Sequence, residues 1–243
     1  MRCTAILAAT VLLTVPAGAR AQIPSGTIIP VSLDGALNAD RVHPGQQIRA
    51  EVMQDIPGTP IRRRARIFGH VVAVTSSKSG SASLALRFDA VQTHSQRFAL
   101  RASLRALASF NEVEAAQVPE EMASRGITPE VATTQQIGGD NVYRGGGPVA
   151  SGNTVVGIPT PYGVLDVPRV RPGQPCRGVL GGNVRPQALW LFSSDACGVY
   201  GYGNLRISDA GRSDAAGTFT LVSDTGRLKL YDGSAMLLRV LGS

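Results

Sequence analysis

The chain has 243 residues, 43% of them hydrophobic and 17% charged, with 28 glycines, 15 prolines, 5% aromatics and a formal net charge of +7. This is a globular composition, and it fits short strands joined by many turns better than long helices. The positive charge is carried almost wholly by arginine, with no Lys/Arg tract interleaved with aromatics, which argues against a nucleic-acid partner.

In chain order, Met1 and Arg2 precede an apolar run from Ile6 to Val15, which Pro16 to Gly18 interrupt before an A-x-A site at Ala19–Ala21. That is the plan of a secretory signal peptide. The run is too short to span a bilayer, which takes about 20 apolar residues, and no later segment approaches that length. The mature chain is expected to begin at Gln22, outside the cytoplasm, in the periplasm or beyond the cell. Arg2 and Arg20 would leave with the signal, so the excess of basic over acidic residues falls.

Residues 22–110 alternate apolar and polar positions. Strands are expected at Thr27–Leu33, where Pro30 suggests an edge or a bulge, at Gln47–Val52 after the turn His43-Pro44-Gly45, and at Arg66–Val74. At Leu84–Val91, Leu86 and Phe88 share a face with Leu84, opposite Arg87 and Asp89. Arg97–Leu107 repeats the pattern, with Phe98, Leu100, Ala102, Leu104 and Ala106 inward and Arg97, Arg101 and Arg105 outward. Sustained period-two patterning indicates antiparallel strands with one buried face.

Residues 111–152 are polar and glycine-rich. One short helix is expected in the 111–125 region, following Pro119, and the segment reads as a linker or a mobile insertion. Residues 153–243 return to short strands: Leu189–Phe192 with the single Trp190, then Gly217–Val222, Arg227–Tyr231 and Ala235–Leu241, the last after the turn signal Asp232-Gly233. The final three read as a terminal β-meander. The domain expectation is thus a signal peptide at 1–21, an N-terminal barrel-like module at 22–110, the linker or insertion, and a C-terminal β-module at 153–243.

Cys3 falls in the signal peptide, which leaves Cys176 and Cys197 as an even pair in an exported chain. A disulfide between them is the expected reading, stabilising by roughly 3 kcal/mol in the chain-entropy account. Two cysteines without a nearby histidine make an incomplete metal site; neither a metal nor another cofactor is indicated. His43, His70 and His94 read as turn, strand and loop histidines. There is no G-x-S-x-G elbow, no phosphate-cradling loop, and no carboxylate pair set apart for glycoside hydrolysis. Two surfaces are candidates for binding. Trp190, Tyr200 and Tyr202 could form an aromatic platform for sugars or cations, or could pack around the cysteine bridge. Arg87, Arg97, Arg101 and Arg105 could form a basic face toward anionic lipid, lipopolysaccharide or an acidic protein.

Residues 23–33 (IPSGTIIPVSL), Gly45–Val52 with Asp55-Ile56, and Ile67–Val71 together resemble the C-terminal β-barrel of conjugal-transfer and type IV secretion channel proteins, the TrbI-like family. The resemblance implies a β-barrel fold over this stretch. The chain departs from the family pattern at Arg62-Arg63-Arg64-Ala65, where a turn glycine is expected, and has no counterpart of the family's transmembrane anchor. The region from 176 onward also looks like exported bacterial proteins of unknown function.

The expectation is therefore a mostly β protein of antiparallel barrel or sandwich modules, exported and non-catalytic. It would bind or scaffold, with an envelope protein or a glycan as partner. A secreted hydrolase without a recognisable motif, or an accessory component of an envelope secretion or transfer assembly, are the alternatives.

Overall fold

A computed structural model describes residues 23–76, 80–116, 133–138, 141–143, 149–151, 154–160, 163–166, 187–189, 191–193 and 195–242. The expected signal peptide, Cys176 and Trp190 lie outside these residues.

The chain is mostly β. One sheet of ten strands dominates, built from β1 (Ile28–Asp34), β3 (Gln47–Val52), β4 (Arg66–Thr75), β5 (Ala82–Gln92), β6 (Arg97–Ala99), β7 (Ala102–Ala108), β14 (Gly198–Tyr200), β15 (Leu205–Ile207), β16 (Phe219–Ser223) and β18 (Ala235–Val240). Its order is β14-β7-β18-β1-β3-β4-β5-β16-β15, with β6 paired to β5. The sheet curls into a nearly closed barrel. Its two end strands, β14 and β15, follow one another in sequence across the short connection 201–204, so the chain itself links the two edges. A two-stranded ribbon pairs β2 (Leu37–Asn38) with β17 (Lys229–Leu230).

The strands form where the alternation is cleanest. Along β3 exposed and buried residues alternate without a break. In β5 Leu84, Leu86 and Phe88 point inward while Arg87 and Asp89 do not. The inward set joins Ile29, Val31, Ile67, Leu104, Leu221 and Leu238 in one continuous apolar core that fills the barrel. Burying each such side chain stabilises by about 1.5–3 kcal/mol.

Between β7 and β14 the chain makes a second sheet, a meander in the order β13-β12-β11-β10-β9-β8, from β8 (Thr133–Gln135), β9 (Asn141–Tyr143), β10 (Val149–Ser151), β11 (Thr154–Thr160), β12 (Gly163–Asp166) and β13 (Gln187–Leu189). β7 and β14 pair in parallel. Parallel neighbours need a crossover rather than a hairpin, and this inserted region is that crossover. A short helix occupies residues 110–116, within the expected region; the stretch after Pro119 lies outside the described residues.

Several expectations are corrected. The boundary near residue 153 does not divide two β-modules, because β14, β15, β16 and β18 complete the sheet begun by β1 and β3 to β7. The terminal meander does not form: β16 pairs with β5 and β15, β17 with β2, and β18 with β1 and β7. The Asp232-Gly233 turn exists, but it redirects the chain from the ribbon into the barrel. Gly233 has φ 76 there, and Phe110 packs so closely that an added Cβ would lie 2.7 Å from its ring. Pro30 stands in a central strand. Its carbonyl accepts the Met53 N–H at 3.0 Å, on the side where β3 has already ended, so the missing N–H falls where the ladder needs no donor. The β3–β4 connection folds without the turn glycine of the TrbI-like pattern: Arg64 itself adopts φ 68, and its N–H donates to the Val52 carbonyl at 2.8 Å.

Candidate functional site

The expected basic face is not one face. Residues 97–107 are two strands, β6 and β7, broken at Leu100-Arg101. A bulge then interrupts β7: Ala106 lies opposite Leu237 and Leu104 opposite Leu238, which leaves Arg105 as the extra residue. A bulge shifts the period-two pattern by one position. Leu104 and Leu107 therefore face the barrel core, while Ala106 and Ala108 face outward.

Outward is not solvent here. Ile137, Leu191, Phe192 and Ala196, together with Val113 and Ala116 of the short helix, cover this side in a second apolar cluster with Ile28, Ala106, Ala108, Ala235 and Leu237. Arg105 is 2% exposed beneath that cover. Its Nε donates to the Ala196 carbonyl at 2.9 Å. Burial lowers its pKa to about 10, with the Asp195 carboxylate opposing the shift and Arg239 adding to it. Ser193 donates to Asp195 at 3.0 Å. The Tyr200 hydroxyl accepts the Cys197 N–H at 3.0 Å and donates to the Cys197 carbonyl at 3.1 Å. Arg105 thus anchors the segment 191–200 rather than meeting a partner in solution.

The aromatic platform separates as well. Tyr200 packs on the second cluster and Tyr202 on the barrel core. Ser234 Oγ donates to the Tyr231 carbonyl at 2.6 Å. The Tyr202 hydroxyl, 2.6 Å from that Oγ, therefore donates to it, and it accepts the Tyr231 N–H. Burial raises the Tyr202 pKa. Cys197 is buried, and its expected pairing with Cys176 reaches outside the described residues.

On β3 to β6 the outer surface is open. Asp89 is the bulged residue of β5, since Phe68 lies opposite Ala90 and Gly69 opposite Phe88. The bulge lets Asp89 reach two partners: Arg87 Nε at 2.9 Å and His70 Nδ1 at 2.7 Å, all three groups partly exposed. Gly69 is required at this crossing, because a Cβ would lie 2.2 Å from the Arg87 carbonyl oxygen. A histidine oriented by a carboxylate is two thirds of a hydrolytic triad, but among the described residues no Ser, Thr or Cys side chain hydrogen-bonds to His70. His43 contacts the Pro44 carbonyl in an exposed turn, and His94 is exposed in the 93–96 turn. Among the described residues no group of three metal-ligating side chains occurs.

Sequence reading missed Arg49, Arg66 and Phe68 as members of this open face. Arg49 lies opposite Phe68, and Arg66 lies between Glu51 and Gln92, with Arg97 beyond Gln92. The Arg97 guanidinium sits 5.2 Å from the Phe68 ring centroid. The same alternation that marked Arg87 marks these positions, once β3 and β4 are paired.

No protein-family model, no curated protein and no solved structure matches the chain.

Proposed function

We propose that this is an exported, non-catalytic envelope or extracellular protein that binds or scaffolds through its outer surface. The observation that carries the reading is the barrel core: among the described residues its inward side chains form one apolar cluster, and the charged side chains gather on the outer surface, where recognition would fall. The His70–Asp89 pair fits the same reading, since it sits on an open sheet face and among the described residues no Ser, Thr or Cys side chain hydrogen-bonds to His70. The amino-terminal pattern supports export, and the Cys176–Cys197 disulfide belongs to the same proposal.

Two measurements test this. Protein recovered from the envelope or medium should start at Gln22 by N-terminal sequencing and carry no free thiol after denaturation without reductant. An intact Met1 in a cytoplasmic fraction, with titratable thiols, would overturn it. A second reading, an accessory component of an envelope secretion or transfer assembly, rests on the resemblance of residues 23–71 to TrbI-like barrels. The barrel-like sheet is compatible with it. Co-purification of the protein with an assembly in crosslinked envelopes would favour it over a free-standing binder.

A further inference from the structure

The charge of the described residues is unevenly placed. Between residues 47 and 99, seven arginines stand against three carboxylates, whereas residues 195–242 carry five basic and five acidic residues. Asp89 is already engaged by Arg87 and His70, and Asp55 accepts the Arg63 backbone N–H at 2.8 Å. Arg49, Arg66 and Arg97 are exposed, and among the described residues none of them makes an ion pair. Pairing sets them on one face around the half-buried ring of Phe68: Arg49 and Arg66 stand on adjacent strands and Arg97 two strands beyond Arg66, at about 4.8 Å per strand, with Glu51 opposite Arg66 the one carboxylate of this face left outside the Asp89 cluster. Exposed Val72 lies further along the same strand. The arginines 62–64 stand at the end of the β3–β4 hairpin. Arg64 holds a left-handed conformation that costs an arginine about 1–2 kcal/mol and a glycine almost nothing. Strain kept where a simpler residue would relieve it points to use of the side chain.

We infer that the outer face of β3 to β6 docks onto an anionic, phosphate-bearing lipid surface; this deepens the proposed binding role and rests on it. Guanidinium groups grip phosphate oxygens in pairs. A convex face that carries them beside an apolar ring can lay its arginines among headgroups while the ring meets the apolar boundary beneath. A single-stranded nucleic acid fits less well, because it needs bare aromatic rings for stacking, and the Phe68 ring is capped by Arg97.

The test is sedimentation of the purified exported protein with vesicles of phosphatidylcholine alone or mixed with phosphatidylglycerol. The protein should sediment with the mixed vesicles only and be released by high salt. A variant with Arg49→Gln, Arg66→Gln and Arg97→Gln should partition about a hundredfold more weakly. Its control, with Arg206→Gln, Arg212→Gln and Arg227→Gln, removes as much charge from the balanced C-terminal region and should partition like the parent. Arg64→Gly should keep or raise the unfolding midpoint and weaken partition about fivefold. Equal binding to neutral vesicles, an equal loss in the control, or capture by single-stranded DNA or polyglutamate instead of vesicles would overturn the inference. Failure of export would show at the amino terminus, whereas failure of the docking face would show only in partition.

Discussion

On β3 and β5 the side chains alternate between a buried apolar set and a more exposed polar set, whereas on β7 and β18 every residue is buried. Both stretches belong to one sheet, and both turn one face to the same core. The difference lies in what the rest of the chain does with the other face. Beyond β3 to β6 the outer face is open and holds long, charged side chains. Beyond β1, β18 and β7 the inserted region returns over the sheet and makes a second core from small residues, Ala106, Ala108 and Ala235 among them. An arginine that points away from the barrel is therefore a surface group on one stretch and a buried anchor on the other.

The largest expected effect follows from that contrast. Arg105→Ala removes a buried guanidinium that faces Asp195 and the Ala196 carbonyl, and should lower stability by about 3–5 kcal/mol in urea unfolding. Adding Asp195→Leu to Arg105→Met removes both charges and should recover part of that loss. A cost below about 1 kcal/mol for Arg105→Ala would show that segment 191–200 does not depend on it, and the contrast between the two faces would fail.

Gly69→Ala probes the open face from its backbone. The added methyl meets the Arg87 carbonyl oxygen and the Phe88 Cα, neither of which can swing away. The expected cost is about 1–3 kcal/mol, with loss of the His70–Asp89 contact, read as a change in the His70 imidazole resonances. An unchanged midpoint would place the bulge elsewhere.

These particulars also show what the sequence could reveal. The strands of the open face were legible because solvent on one side and core on the other impose period two, so Arg87, Asp89, Leu86 and Phe88 were placed correctly from pattern alone. Arg105 was not. Its outward direction follows from its period-two position in 97–107 but its burial does not, and the bulge that turns Ala106 outward and Leu107 inward has no local signal, because the partner strand β18 lies far along the chain. The cover over β7 was equally hidden, since Ala106 and Ala108 read as neutral until the distant segment 191–196 is laid across them. The terminal strands were found, but their partners were not, because turn chemistry at Asp232-Gly233 reports a reversal and not which strand receives it.

A smaller effect is expected at the seam between the regions. Tyr202→Phe deletes a hydroxyl held between Ser234 and the Tyr231 N–H and should cost about 1 kcal/mol. Its pH dependence has a defined sign. Burial raises the folded-state pKa of Tyr202 above the usual tyrosine value of 10.0. The unfolded chain therefore loses this proton first, and the contribution is complete below pH about 10 and is lost as pH rises through the folded value. The parent should lose stability more steeply than Tyr202→Phe as pH rises from 9 to 11, read as the urea midpoint. Parallel curves would show that the phenol is not shielded.

The smallest effect should come from the open face, and its smallness is the point. Arg97→Gln gives up the contact with the Phe68 ring at an exposed site, about 0.5–1 kcal/mol, and Arg49→Gln should stay within about 0.5 kcal/mol of the parent. If these two cost little while Arg105→Ala costs several kcal/mol, the arginines of β3 to β6 are not there for the fold. A surface that stability does not require, that concentrates the positive charge of the described chain, and that keeps Arg64 in a conformation better suited to glycine is one whose side chains serve an encounter. If Arg49→Gln and Arg97→Gln instead unfold the protein as readily as Arg105→Ala, that face is structural, and the docking inference loses its ground.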